Sequence, residues 1–380
     1  MKVILSVDVI RFPLTGIGRY TWELASALMQ MPQILELKLF SGKNFIPTLP
    51  AIQESAGFKH GLKQLVQGNY IATEAYRLLM PLLKKRALKG SDDYLYHGPN
   101  FFLPPFPGRK IATFHDLSPF TWPHCNTPQR IRFTQKELLK TISSADALIT
   151  DSEYVRQEIS DYFGWPVERI YTVPLACSTD FHPRTSDECK NVLSQYRLTY
   201  RQYSLYVGTI EPRKNLIALL DAYSRLPLDY RLRIPLILTG YKGWQNEPIM
   251  HRIEAAQREG WVRYLGYLPI QVLPILFSGA RAFCFPSLYE GFGLPVLEAM
   301  ASGIPVVCSD SSCLPEVIGD AGLMCKPDDI EQMTYLLTKA IDDDSWRENI
   351  ISKGVQRARE FSWQKCAEQT IKVYQKVINN

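Results

Sequence analysis

Short apolar runs alternate with amphipathic stretches along nearly the whole chain. In the first half, Lys2–Val7, Leu35–Phe40, Tyr94–His97, Lys110–Phe114, Ala147–Thr150 and Ile170–Val173 are runs of four to six residues, the length and composition of strands. Between them, Gly18–Met31, Gln129–Ser143 and Ser152–Phe163 repeat apolar residues at helical spacing. Thr150-Asp151-Ser152 followed by Glu153 and Val155 reads as a strand end passing into a capped helix. Periodicity lapses over Pro174–Pro183 and then restarts. Strands are predicted at Tyr203–Gly208, Pro235–Thr239, Val262–Leu265, Ala282–Phe285, Pro305–Cys308 and Leu323–Cys325. Helices are predicted at Asn215–Leu226, Pro248–Glu259, Pro269–Ser278, Leu294–Gly303, Ile330–Asp342 and Ser345–Glu360, with a last amphipathic one at Ser362–Lys376. Strand–helix alternation predicts doubly wound α/β layers, and 380 residues exceed what one core usually holds. Two domains are therefore expected, 1–180 and 181–361, with Pro174–Pro183 as the linker.

Composition narrows the class. With 46% hydrophobic and 21% charged residues, the chain is an ordinary globular one. The opening MKVILSVDVIRF is interrupted by Asp8 and closed by Arg11, so it reads as a buried first strand rather than a signal peptide. No stretch approaches 18 uncharged apolar residues, and no membrane-spanning helix is expected. The eight cysteines, at 125, 177, 189, 284, 308, 313, 325 and 366, form no C-x-x-C pair. That disfavours a zinc site or disulfide framework and fits a reducing, cytoplasmic setting.

The net charge is only +5, but residues 51–140 hold 13 Lys and Arg against 6 Asp and Glu. Within them Tyr70–Gly90 is amphipathic and ends in Lys84, Lys85, Arg86 and Lys89. Two readings stand: peripheral docking on the inner, anionic face of a membrane, or a domain helix whose cationic last turn suits its dipole. Pro81 is expected to kink or break that helix. The basic residues form no long run and no nucleic-acid-binding module is present, so no nucleic-acid partner is expected.

Four segments carry candidate chemistry. Residues 290–298, EGFGLPVLE, follow a strand-like run and lead into a helix, with Pro295 suited to its first turn. Glu290 then stands in the loop and Glu298 near the helix start, with a glycine-rich backbone between them that tolerates close approach. In Val207-Gly208-Thr209-Ile210-Glu211-Pro212-Arg213-Lys214-Asn215, two cations precede a helix, a place cations avoid unless an anion is present. Arg213 can grip a phosphate bidentately and Lys214 adds a point charge. Pro13-Leu14-Thr15-Gly16-Ile17-Gly18-Arg19-Tyr20 opens the first helix, where free N–H groups suit a phosphate. Its third glycine would fall at Thr21, so it is not a dinucleotide fingerprint, which counts against an NAD-dependent dehydrogenase. Thr113-Phe114-His115-Asp116-Leu117 closes an apolar strand, the end at which open α/β sheets place ligand contacts. His97 is a weaker candidate, more readily structural.

Together these segments resemble the retaining family 4 glycosyltransferases, and the resemblance covers nearly the whole chain. It implies the GT-B architecture, two Rossmann-like domains facing across a cleft, the first (1–180) for the acceptor and the second (181–361) for the nucleotide-sugar donor, with the last helix (362–376) packing back on the first domain. It implies a nucleotide-sugar donor, a saccharide acceptor and no cofactor. Arg213 and Lys214 are implied to hold the donor diphosphate, Glu290 and His115 to lie at the donor sugar, and Glu298 to bind the ribose. Gly16 and Gly18 are implied over the diphosphate, Gly208 in the anion turn, the backbone of Phe292, Gly293 and Leu294 against sugar and phosphate, and Tyr241, Tyr267 and Leu268 beside the base. No metal is implied: the only D-x-D pattern, Asp342-Asp343-Asp344, closes a late helix and reads as a solvated acidic turn. The stretches SVDVIRFPLTGIGRY and TFHDLSPFTWPHCNTPQRIRF are similar to bacterial mannosyl- and D-rhamnosyltransferases of O-antigen assembly, which favours a GDP-sugar donor and a saccharide or lipid-linked saccharide acceptor. UDP-sugar dependence, a GT-B nucleotide-sugar epimerase and a non-catalytic saccharide-binding protein are the competing readings.

Overall fold

The computed structural model describes residues 1–11, 14–50, 70–125 and 127–379, without the side chains of 70–78 and Cys125. Pro13 and residues 51–69 of the basic stretch thus lie outside the described residues. The first sheet contains β1 (Lys2–Ser6), β2 (Glu36–Ser41), β3 (Asn44–Ile46), β4 (Leu95–Gly98), β5 (Lys110–Phe114), β6 (Ala147–Thr150) and β7 (Ile170–Thr172). Their order is β3-β2-β1-β4-β5-β6-β7, parallel except for the antiparallel β2–β3 edge. The second sheet contains β8 (Ser204–Val207), β9 (Leu236–Thr239), β10 (Val262–Tyr264), β11 (Ala282–Phe285), β12 (Val306–Ser309) and β13 (Leu323–Cys325). It runs β10-β9-β8-β11-β12-β13, all parallel.

Central strands such as β4, β6, β9, β11 and β12 are buried at every residue. That is why they read as continuous apolar runs rather than as alternation. The strand order reverses between β1 and β4 and between β8 and β11. Crevices at the carboxyl ends of such strands are where open α/β sheets bind ligands.

The last helix, Trp363–Asn379, starts beyond the second sheet but packs on the first half. Its buried residues Cys366, Ala367, Thr370, Ile371, Tyr374 and Val377 recur at helical spacing. Several of them share one apolar core with β1, β8 and β11. Tyr374 Oη meets His97 Nδ1 at 2.6 Å, and His97 Nε2 meets Thr113 Oγ1 at 2.8 Å. His97 is fully buried, and burial drives its pKa down to about 3. It therefore stays neutral inside a structural network and offers nothing to an acceptor.

Three local outcomes differ from the pattern. The helix Tyr70–Ala87 runs through Pro81 instead of breaking. Proline removes one hydrogen bond there, but tertiary anchors hold the following turns: Lys84 Nζ lies 2.5 Å from Asp8 Oδ2, and Leu88 is fully buried. The edge strand β3 follows a tight turn in which Gly42 takes a positive φ of 63°, and its three residues are too few to show a period. The helix Ser186–Gln195 is also unpredicted, although Thr185 and Glu188 form a reciprocal capping box. Pro174–Pro183 forms no regular element, yet Phe181 is buried with its ring 5.5 Å from that of Phe277.

Candidate active site

The loops leaving β1, β5, β6, β8 and β11 converge between the two sheets. After β8 the chain makes one 3-10 turn, Pro212–Lys214, and Asn215 adopts a left-handed φ of 55° before the helix Leu216–Ser224 begins. Asn215 Nδ2 fastens this turn by donating to the carbonyls of Pro286 and Pro327, at 3.2 and 2.8 Å. Leu288 N donates to Arg213 O at 2.9 Å, tying the turn to the loop after β11.

Lys214 Nζ then lies 2.5 Å from Glu290 Oε1, and Arg213 Nη1 lies 3.5 Å from Oε2. Arg213 also donates to Glu211 Oε1 at 2.9 Å and to Tyr289 O at 2.7 Å. Burial alone would raise the Glu290 carboxyl, but Lys214 and Arg213 outweigh it and hold it below the usual range. The anion demanded by two cations in this turn is therefore supplied, in this state, by Glu290 and Glu211. Any other anion entering here would compete for charges already preorganised and largely dry.

Glu298 is the fifth residue of the helix Leu294–Ala301, which begins at Gly293 with a φ of 97° and no side-chain cap. Its Oε1 lies 3.3 Å from Arg19 Nη1, on the first helix of the other sheet. Burial pushes the Glu298 carboxyl up to about 7, with Arg19 opposing.

His115 is held on both sides of its ring: Nδ1 is 2.7 Å from Asp151 Oδ2, and Nε2 is 2.9 Å from Pro99 O. A carbonyl only accepts, so Nε2 carries a proton, while Nδ1 shares one with Asp151. Burial lowers the His115 pKa, but the Asp151 carboxylate overcomes this and raises it. Neither ring nitrogen is free in this arrangement. Asp151 Oδ1 has no partner although the residue is buried.

The halves are shut on one another. Ser152 Oγ donates to Gly291 O at 2.8 Å, and Glu316 accepts from the backbone N–H groups of Glu153 and Tyr154 at 2.8 and 2.6 Å. His115, Glu290 and Glu298 are each only 8% exposed.

The remaining candidates divide. Gly16 starts the first helix with open space where a side chain would stand, whereas a Cβ on Gly18 would lie 2.9 Å from Val9 O, a packing constraint. Thr15 Oγ1 already accepts from Gly18 N at 3.3 Å. Gly208 and Gly240 meet backbone to backbone: a Cβ on Gly240 would lie 1.9 Å from Gly208 O. Tyr241 and Tyr267 stack with centroids 4.2 Å apart and stay 48% and 41% exposed, a flat face open to a ligand. Leu268 is buried in the main core, as is Phe292, whose ring meets Phe361 at 5.8 Å. Leu294 is half-buried at the helix start. Asp343 caps the helix Asp344–Ala358, and Asp344 pairs with Arg281 and Arg347. Among the described residues, no group of three or more His, Cys, Asp or Glu side chains is placed to hold a metal ion.

Arg19, Asp151, Glu211 and Tyr289 were not singled out by sequence pattern. Asp151 lies at the carboxyl end of β6 as His115 does at that of β5, and the strand-end rule applied to both would have found it. Arg19 pairs with a residue 279 positions away, a contact that local spacing does not encode.

Two parallel-stranded sheets with facing switch points, and a buried cation–carboxylate cluster at the end of the second, define a two-domain α/β architecture. A family model, glycosyl transferases group 1, matches residues 196–357. The chain is 46% identical over 378 residues to O-antigen chain mannosyltransferase B of Escherichia coli, covering 98% of this chain and 99% of that one. It belongs to the glycosyl transferases group 1 family. The same fold is seen in Anabaena HepE in complex with UDP and glucose, at 16% identity with a TM-score of 0.73 over 99% of this chain and 100% of that one. It is seen also in WaaG, a glycosyltransferase involved in lipopolysaccharide biosynthesis, at 14% identity with a TM-score of 0.69 over 97% and 98%. The GT-B architecture implied by the motifs is thus the architecture of the chain.

Proposed function

We propose that the protein transfers a mannosyl unit from a GDP-linked donor to a saccharide acceptor in O-antigen assembly, with retention at the anomeric carbon and without a metal. The observation that carries this reading is the end-to-end 46% identity with the O-antigen chain mannosyltransferase, and the buried Arg213–Lys214–Glu290 cluster is its chemical support. When the donor's glycosidic bond breaks, negative charge grows on the departing diphosphate. Preorganised cations in a water-poor site stabilise that charge strongly. Arg213 and Lys214 supply the cations, Glu290 orients them until the donor arrives, and Glu298 accepts hydrogen bonds from the ribose. D-rhamnosyl transfer and UDP-sugar use are the alternatives.

A panel of GDP- and UDP-sugars tests this. GDP-mannose is expected to be consumed only when acceptor is present, and linkage analysis of the product is expected to show an α-mannoside. Preference for a UDP-sugar overturns the base assignment. Consumption without acceptor overturns transfer in favour of epimerisation.

Membrane docking gains a specific face. No described helix is long and apolar enough to cross a membrane. Leu79, Leu82 and Leu83, however, are 56%, 64% and 38% exposed, at helical spacing beside exposed Lys85, Arg86 and Lys89. Lys84 is excluded, because it turns inward to Asp8. An apolar stripe bordered by cations suits an anionic bilayer surface, where each basic residue contributes about 1 kcal/mol. Reversing Lys85, Arg86 and Lys89 to glutamate is expected to cut co-sedimentation with phosphatidylglycerol liposomes by about tenfold or more, leaving turnover of a soluble acceptor unchanged. Unaltered sedimentation rejects this face as the docking surface.

A further inference from the structure

Tyr289 precedes Glu290 in the loop after β11, yet its side chain belongs to the opposite half. Only 3% of it is exposed. Its hydroxyl accepts from Leu117 N at 2.8 Å and donates to Glu158 Oε2 at 2.6 Å. A phenol has one proton to give and lone pairs to accept with, so both capacities are used, and both partners lie in the first half. Its ring sits 6.2 Å from those of Trp122 and Tyr154. Meanwhile its backbone carbonyl accepts from Arg213 Nη1 at 2.7 Å. One residue therefore touches the loop that follows His115, the middle of the helix Glu153–Phe163, and the guanidinium of the cation pair.

We propose that Tyr289 is a positioning residue, a bolt between the halves whose hydroxyl sets Glu290 and Arg213 against the floor formed by the first half. The proposal rests on glycosyl transfer as the reaction, and it adds a device that couples domain closure to the placement of the charges. Glu316 holds the first turn of the same helix through Glu153 N and Tyr154 N. Tyr289 fixes that helix one turn further on, through Glu158, while its own backbone holds Arg213. Losing the hydroxyl leaves the buried Leu117 N–H and the half-buried Glu158 carboxyl without their partner, a loss felt only when the halves are closed. Domain closure and chemistry then suffer together, while the donor half by itself is intact.

The test compares Tyr289→Phe, Glu158→Leu and Glu158→Gln in the full chain. Glutamine keeps an oxygen that accepts from the phenol, and leucine does not. Tyr289→Phe and Glu158→Leu are each expected to lower kcat by about tenfold or more, with donor KM within about twofold of the parent. Their double variant is expected to be no worse than either alone, the signature of one shared interaction. Glu158→Gln is expected to restore most of the rate. Small-angle scattering of the donor-free protein is expected to give a larger radius of gyration for Tyr289→Phe than for the parent chain. That reading needs no turnover, so it tests the bolt even if the assigned reaction is wrong. The proposal is overturned if Tyr289→Phe matches the parent in kcat and scattering, if Glu158→Gln is as impaired as Glu158→Leu, or if the loss appears in donor KM rather than kcat.

Discussion

Replacing Lys214 with alanine is expected to lower turnover of the nucleotide-sugar by on the order of 100-fold or more, the usual cost of deleting one preorganised contact to transition-state charge. Arg213→Ala and Glu290→Ala are expected to fall in the same range, for different reasons. On the proposed reaction, Lys214 and Arg213 would face the charge that grows on the leaving diphosphate. Glu290 fixes both, at 2.5 and 3.5 Å, and without it they swing or repel. Each change also breaks a buried ionic cluster, and removing one partner of such a pair typically costs about 3–5 kcal/mol of stability. For Glu290→Ala the shortfall is smaller, because Glu211 remains as counter-charge to Arg213.

Rate and stability must therefore be read separately. Thermal unfolding gives the second, and donor consumption with acceptor present, well below the transition, gives the first. Glu290→Gln sharpens the comparison by keeping the volume of the side chain while removing its charge. Near-normal turnover in all three alanine variants would sink the assignment of this cluster.

What the sequence made legible follows a physical divide. Central parallel strands and amphipathic helices declare themselves locally, because burial on both faces or one face writes a run or a period into neighbouring residues. The carbon skeleton of the site was legible for the same reason: strand ends punctuated by glycine, then Arg213, Lys214, Glu290 or His115. Partnership was not. The cations before a helix signalled an anion, and a ligand was the natural assignment. In the structure a glutamate 76 residues away takes that place. The glycine-rich backbone after Glu290 was read as tolerating close approach, and at Gly291 it is the facing backbone of His115 that approaches. Arg19 and Tyr289 acquire meaning only when two sheets that never share a hydrogen-bonded strand are brought face to face, whereas Asp151 needs only the neighbouring strand that leads to His115. The Leu268 side chain, placed beside the base by resemblance, lies in the apolar core, as does that of Phe292, for which resemblance implied only a backbone contact.

Gly291→Ala isolates that closure. A Cβ at this position would stand 1.7 Å from His115 O and 2.8 Å from its carbonyl carbon, with Asp116 Cβ at 3.2 Å. Two of these are backbone atoms of a loop fixed by the His115–Asp151 and Pro99 contacts, so no side chain can turn aside. Gly291 does not adopt a left-handed φ, and alanine is thus unstrained within its own half. The whole conflict falls on the interface, and the halves must part. Parting also removes the bond from Ser152 Oγ to Gly291 O and draws Glu290 away from the loop carrying His115.

A misplacement of about 1 Å costs roughly 100-fold in rate, so transfer is expected to fall by at least that much. The donor half is expected to keep its fold and its affinity, so GDP should still raise the unfolding temperature of Gly291→Ala, as a native-state ligand does. Gly240→Ala is the control with the opposite logic. There the glycine adopts a φ of 142° and its Cβ would meet Gly208 O inside the donor half, so GDP stabilisation should be lost together with transfer. If Gly291→Ala transfers sugar at the parent rate, or loses GDP stabilisation as fully as Gly240→Ala, the closed contact between Gly291 and His115 is not the geometry in which the reaction occurs.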